Sequence, residues 1–225
     1  MKLSIVMPVL NEAPHIAGIL QSLQALRKNG AEVIVADGGS TDATAALAAP
    51  LADRVLAAAR GRAAQMNAGA RAAHGDVLLF LHADTRLPAN ATALIEQALR
   101  QRAWGRFDVN IEGRSRWLPF IAMMMNLRSR ASGICTGDQA LFVTRAAFDA
   151  AGGFPAQPLM EDIELSKRLK RIGRPACLRA RARTSGRRWD QNGAWRTILL
   201  MWRLRFDYWR GVPASRLVAR YYPDA

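Results

Sequence analysis

The chain has little thiol or imidazole chemistry to offer: two cysteines and three histidines among 225 residues. Cys135 and Cys177 are too few for a disulfide framework and lack the spacing of a zinc site. Both lie in apolar or mixed stretches, which suits buried, reduced thiols in a cytoplasmic protein. A cysteine nucleophile needs a histidine partner, and none of His15, His74 and His82 is placed locally to serve. Long apolar runs are also missing. The nearest, Trp117 to Met125, contains Pro119 and falls short of the roughly 18 residues a membrane span needs. The apolar opening, Met1 to Leu10, is too short for a secretory signal and reads as a strand. No Gly-x-Gly-x-x-Gly follows that strand, which argues against an NAD-type site. There is no internal repeat, no low-complexity linker and no clear domain boundary.

What is present suits one globular domain. Half the residues are hydrophobic and 22% are charged. The net charge of +14 is unevenly placed. Residues 1–99 carry 8 basic and 8 acidic side chains, whereas residues 100–225 carry 24 and 10. A basic surface of this kind can meet a diphosphate, nucleic acid or anionic lipid, or simply be solvated.

Short apolar runs alternate with helical patterns through the first hundred residues. Leu3 to Met7, Val33 to Ala36, Arg54 to Ala58 and Val77 to Leu81 read as strands. Between them, Ile16, Ile19, Leu20, Leu23 and Leu26 recur at helical spacing. An Ala-rich helix is expected after Ser40 to Asp42, another over Gly61 to Ala73, and a third after Asn90. This alternation predicts a mostly parallel, Rossmann-like α/β sheet flanked by helices, with ligands at the carboxyl ends of its strands. Farther on, Phe107 to Ile111 and Gln139 to Val143 read as strands, and Thr144 to Ala151 and Glu161 to Ile172 as helices. A helical tail rich in Trp, Arg and Leu runs from Trp195 to Trp209.

Three strand ends carry polar clusters. Asp84, just beyond the Val77 to Leu81 strand, suits Mg²⁺ or Mn²⁺, which take one or two protein carboxylates and complete their shell with phosphate and water. It also suits a plain turn cap. His82 lies on the same side of an extended chain, as a second ligand or a donor to phosphate. Asp37 can accept from a ribose hydroxyl or a base N–H, with Gly38 permitting close approach, although Asp-Gly-Gly-Ser is also ordinary turn chemistry. Glu161 and Asp162 either complement a helix dipole or supply a general base. Arg62, Gln65 and Asn67 sit between two strands, and Arg62 could bind phosphate as a fork-shaped cation. Arg188 and Trp189, within Gly-Arg-Arg-Trp, are either an anion clamp with an aromatic platform or a solvated loop.

Taken in order, these pieces resemble family 2 glycosyltransferases of the GT-A fold. Ser4 to Glu12 is similar to that family's first strand and nucleotide loop, and Val33 to Asp42 to its second strand and base-binding acid. Asn67 to Leu81 resembles the run into its metal motif, and Gly152 to Phe154 with Glu161 to Leu165 the segment bearing its catalytic base. Leu81-His82-Ala83-Asp84-Thr85 and Thr136-Gly137-Asp138-Gln139 further resemble a bacterial subgroup, with His82 in place of the first acid of Asp-x-Asp.

The resemblance implies one glycosyltransferase domain over residues 1–225. Residues 1–100 would bind the nucleotide sugar, 101–190 would carry the acceptor side and the base, and 191–225 would form a basic helical tail. It implies an inverting transfer from a nucleotide-diphosphate sugar, UDP-linked by family habit, to an unidentified hydroxyl. Pro8, Asn11, Glu12, Asp37, Gly38, Arg62, Asn67 and His82 would bind the donor, with Asp84 on Mg²⁺ or Mn²⁺. Asp162, with Glu161 beside it, would be the base, and Asp138, Gln139, Arg188 and Trp189 would face the acceptor. The tail could rest on the inner face of a membrane and present a lipid-linked acceptor.

Two other classes remain for comparison. A nucleotidyltransferase would carry a basic, Gly-rich loop where Asn11-Glu12-Ala13-Pro14 stands. A non-enzymatic nucleic-acid module would not gather carboxylates at strand ends, so no nucleic-acid partner is expected.

Overall fold

The computed structural model describes residues 1–221, so residues 222–225 of the expected tail lie outside it. The opening run forms Leu3–Val9 (β1), buried along its whole length. Pro14 sits in the first turn of Ala13–Ser22 (α1), where a missing N–H costs no hydrogen bond. Gln24–Lys28 (α2) follows, and Gly30, at φ +91°, turns the chain into Glu32–Asp37 (β2). Then come Thr44–Ala48 (α3), Arg54–Ala57 (β3), Arg62–Ala72 (α4) and Val77–Phe80 (β4). β1 pairs in parallel with β2 and β4, and β2 with β3. The carboxyl ends of these strands therefore share one edge.

Beyond β4 the sheet becomes mixed. Its elements are Thr85–Arg86 (β5), Ala91–Leu99 (α5), Trp104–Glu112 (β6), Leu118–Ser132 (α6), Phe142–Thr144 (β7) and Arg145–Ala150 (α7). Glu161–Ile172 (α8), Ala176–Ser185 (β8), Arg187–Asn192 (α9), Ala194–Trp209 (α10) and Ala214–Tyr221 (α11) complete the described chain. Among these residues eight strands form one sheet in the order β3-β2-β1-β4-β7-β6-β8-β5. β7 runs antiparallel to both neighbours, β6 pairs in parallel with β8, and β5 is antiparallel to β8.

Alternate residues of β1 face opposite cores. Ile5, Met7 and Val9 join Leu79, Phe107 and Phe142 on one side. Val6 joins Leu78, Phe80, Trp104 and Leu165 on the other. Phe80 meets Phe148 at 5.2 Å and Phe154 at 4.7 Å between ring centroids. Each such buried ring contributes about 1.5–3 kcal/mol through desolvation, and together they anchor α7 and the turn before α8 to β4.

Two expectations change, and one stretch with no expected element proves helical. The run Gln139 to Val143 is not one strand. Thr136 and Gln139 form a reciprocal capping box around a 3₁₀ turn, Ala140 takes φ +48°, and the strand begins only at Phe142. The apolar stretch from Trp117 belongs to a fifteen-residue helix, α6, with Pro119 in its first turn. Cys135 is buried and burial pushes its thiol pKa up, but Cys177 is only half-buried.

Candidate active site

The site is assembled at the carboxyl ends of β1, β2 and β4. In the loop after β1, Asn11 takes φ +53°. Its backbone N–H donates to the Ser40 hydroxyl at 2.9 Å, and its side-chain oxygen accepts from the Thr41 N–H at 2.9 Å. Asn11 thus ties two loops together. Glu12 donates its N–H to Thr44 Oγ1 at 2.8 Å, while its carboxylate lies 3.4 Å from Arg187. Asp37 stands in register with Val9 of β1 and accepts from both the N–H and hydroxyl of Ser40. It is 9% exposed. β2 and β4 flank β1, so Asp37 lies roughly 10 Å across the sheet from the end of β4.

Gln65 on α4 is buried and donates to the carbonyls of Val9 (2.7 Å) and Ala36 (2.8 Å). A Cβ on Gly38 would meet that amide at 2.9 Å, which explains the glycine. Asn67, two residues on, spends its side chain elsewhere. It donates to the Phe154 carbonyl at 2.8 Å and accepts from the Phe154 N–H at 3.0 Å. It clamps the Gly152-Gly153-Phe154 turn and is not among the residues lining the cleft at these strand ends.

After β4, His82 and Asp84 are both partly exposed. His82 Nδ1 lies 3.6 Å from Asp138 Oδ1. Asp84 accepts from the Thr85 hydroxyl at 3.2 Å, and its carbonyl accepts from Ser185 N–H at 3.1 Å. Gly137 presses against His82, for a Cβ there would stand 2.1 Å from the ring. The Gly137 N–H donates to Asp162 Oδ2 at 3.0 Å. Asp162 also accepts from Ile163 N–H at 2.7 Å.

A cleft of about 800 Å³ has Pro8, Glu12, Arg62, His82, Asp84 and Glu161 among its walls. A smaller adjoining cavity is bounded by His82, Gly137, Glu161 and Asp162. Glu161 is 5% exposed, and burial, followed by the charge of Asp162, raises its pKa to about 7. Burial also raises Asp162, against the hydrogen bond from Gly137. Desolvation within the site works against ionising Asp138, but the hydrogen bond and charge of His82 and the charges of Arg62 and Arg188 outweigh it and lower its pKa. Arg62 lines the same cleft as Glu161, and its charge favours the ionised forms of Glu161, Asp162 and Asp138.

The remaining acceptor candidates are split. Asp138 is partly open, with 43% of its side chain exposed. Gln139 is fully buried and its carbonyl oxygen accepts from Thr136. Arg188 stacks on Tyr221 at 3.8 Å. Trp189 packs beside Val109, Ile111 and Leu118 and is no open platform. Within the same run it is Arg187 that reaches the loop after β1, through Glu12. One charged neighbour had no signal in the sequence. Burial lowers the pKa of Arg128 on α6, and the charge of Asp162 opposes that shift. Its Nε and Nη2 are buried without a hydrogen-bond partner. Only the unexpected helix α6 brings it there.

No group of three or more His, Cys, Asp or Glu side chains among the described residues could hold a metal ion by itself. A single half-exposed carboxylate, Asp84, fits a hard cation that brings its remaining oxygen ligands with a diphosphate.

A mixed α/β sheet with acids at this edge is the GT-A architecture of nucleotide-sugar transferases. The model of glycosyl transferase family 2 matches residues 4–149, and the chain belongs to that family. It is thus grouped with enzymes, which weighs against a non-enzymatic nucleic-acid module. TarS from S. aureus is similar in fold (20% identity, TM-score 0.65, 83% of this chain and 61% of that one). So is the mannosyltransferase PcManGT from Pyrobaculum calidifontis in complex with GDP-Man and Mn²⁺ (20%, TM-score 0.62, 80% and 56%). Glucosyl-3-phosphoglycerate synthase from Mycobacterium tuberculosis in complex with Mg²⁺ and UDP is another (20%, TM-score 0.59, 81% and 70%). The chain spans about three fifths of the length of the first two. No curated protein sequence matches significantly.

Proposed function

We propose that the protein transfers a sugar from a nucleotide-diphosphate sugar, a UDP-sugar first among candidates, to a hydroxyl acceptor with inversion. One observation carries this reading. Arg62, His82, Asp84 and Glu161 wall one cleft beside the β1 loop, and Asp162 lies in the adjoining cavity. Solved complexes of TarS with UDP-GlcNAc and of PcManGT with GDP-Man and Mn²⁺, on similar folds, support the donor class.

In this mechanism Asp37 and the Pro8 to Glu12 loop hold the nucleoside, and Arg62 and His82 face the diphosphate. Asp84 is the protein ligand of Mg²⁺ or Mn²⁺, which when bound would offset charge on the departing diphosphate. Asp162 takes the proton of the acceptor hydroxyl. That oxygen bonds to the anomeric carbon as the bond to the diphosphate breaks on the opposite face. Asp162 keeps lone pairs for this, since two hydrogen bonds leave about half of a carboxylate's acceptor sites. Asp138 orients the acceptor beside His82. A peripheral position on the inner face of a membrane, with a lipid-linked acceptor, belongs to the same reading because the basic charge is concentrated after residue 100.

Thermal shift with UDP- and GDP-sugars, with and without Mn²⁺, tests the donor site. Wild type is expected to be stabilised and Asp84→Ala to lose the Mn²⁺-dependent part. If no sugar nucleotide shifts wild type, the reading fails.

A further inference from the structure

The exposed large apolar side chains of α10 are Trp195, Leu199, Trp202, Phe206 and Trp209, between 54% and 78% exposed. Their spacing of four, three, four and three residues sets them along one helical face. The other side of α10 buries Leu204, which clusters with Leu159 and Met160, the two residues before Glu161. α10 therefore has one apolar face fastened to the base-bearing turn and a second open to solvent. Helix α6 repeats the pattern with Phe120, Met123 and Leu127. Trp117, just before α6, meets Trp195 at 5.2 Å between ring centroids and joins the two stripes into one patch.

The charge around the patch chooses the occupant. Residues 113–137 contain four arginines and no acid, and residues 191–221 contain six arginines and one acid. That acid, Asp207, is paired with Arg220 at 2.8 Å. Arg114, Arg116, Arg196, Arg203 and Arg210 are exposed along the segments that carry the apolar rows. A second copy would bring the same positive charge to the contact, and like charges facing one another oppose association. Indole rings at the headgroup level with arginines against lipid phosphate are what an anionic bilayer surface favours. No helix of the described residues is long and apolar enough to cross a membrane, so α10 would lie in the surface.

We propose that α6 and α10 together form a docking face that seats the protein on an anionic lipid bilayer. The inference extends the peripheral reading above. It rests on the glycosyltransferase reading only for its purpose, which is to hold the cleft where a lipid-borne hydroxyl arrives.

Flotation with phosphatidylcholine vesicles, with and without phosphatidylglycerol, is the test, run on the whole chain. Wild type is expected to float with anionic vesicles, weakly with neutral ones, and less as salt rises. The triple variant Leu199→Ser, Trp202→Ser, Phe206→Ser should lose vesicle affinity on the order of a hundredfold, with its UDP-sugar thermal shift unchanged. Brominated lipids should quench wild-type tryptophan emission, which keeps the test valid if the triple variant does not fold. Wild type that stays unbound and unquenched, or a folded triple variant that floats as wild type does, overturns the proposal. So does a wild-type dimer in light scattering that the triple variant converts to monomer. Vesicle binding without any sugar-nucleotide shift would remove the transferase reading and leave the docking face standing.

Discussion

The backbone N–H of Gly137 donates to the carboxylate of Asp162 at 3.0 Å, so the turn beside His82 and the first turn of α8 are held as one unit. Asp162→Asn keeps an oxygen to accept that bond and removes the ability to take a proton. Turnover is therefore expected to fall by about 10²–10⁴, while the sugar-nucleotide thermal shift stays at the wild-type level. Single-turnover rates beside the shift separate the two. Turnover near wild type would reject Asp162 as the base.

The first two acids of α8, Glu161 and Asp162, also give a pH prediction. Burial raises Asp162 above the ordinary 3.8, and a base works only when ionised, so the acid limb of kcat should lie above that value. For Glu161 the native state favours the neutral carboxyl. Its contribution to stability is whole below pH 4.5 and is lost as pH rises through about 7. Glu161→Gln should consequently gain Tm over wild type at pH 8 and gain little at pH 4.5. The difference is bounded at about 3 kcal/mol. Equal pH profiles by calorimetry, in the presence of a chelator, would contradict the burial argument.

How far the residues announced this architecture varies with their periodicity. β1, β2 and β4 are continuous apolar runs because helices cover both faces, and that signal is unambiguous once strands and helices alternate. Asp37 and Asp84 could be placed for the same reason, since each follows such a run. The second half was harder. β8 reads Arg179-Ala180-Arg181-Ala182-Arg183-Thr184, a strict alternation with the arginines exposed and Ala182 and Thr184 buried. The period was visible, but alanine is too small to advertise a core position. α6 was obscured by Pro119, which is harmless in a first turn. Without α6, nothing could bring the charge of Arg128 to bear on Asp162 or set a second apolar row beside α10. Gln139 looked available as a free amide until the capping box consumed its oxygen.

Gly137 owes its identity to His82 and not to its backbone angles. An added methyl would meet the ring at 2.1 Å, so Gly137→Ala must displace either the imidazole or the turn. Overpacking of this kind costs roughly 1–3 kcal/mol. Urea denaturation should show that loss, and turnover should fall with it if it is the turn that shifts, because the residue 137 N–H then moves away from Asp162. A second change, His82→Ala, opens the space. The double variant is expected to recover most of the stability lost in Gly137→Ala. If the two losses simply add, the contact is not what excludes a side chain.

Asn67 separates two roles that its position between strands leaves open. Both ends of its amide are spent on the Phe154 backbone, a contact across 87 residues that fixes the Gly152 to Phe154 turn against α4. That turn carries Phe154 into the Phe80–Phe148 cluster and sets the chain on course for α8. Asn67→Ala would leave the Phe154 N–H and carbonyl without these partners, at a cost of about 1–3 kcal/mol, and loosen the approach to Glu161 and Asp162. Stability and turnover should therefore fall together while sugar-nucleotide affinity changes little. Arg62→Ala, which removes a cation from the cleft wall, is expected to do the reverse, weakening the donor with a smaller effect on folding. Isothermal titration and denaturant melts on the two variants decide the matter. A large affinity loss in Asn67→Ala at unchanged stability would return that residue to the donor site.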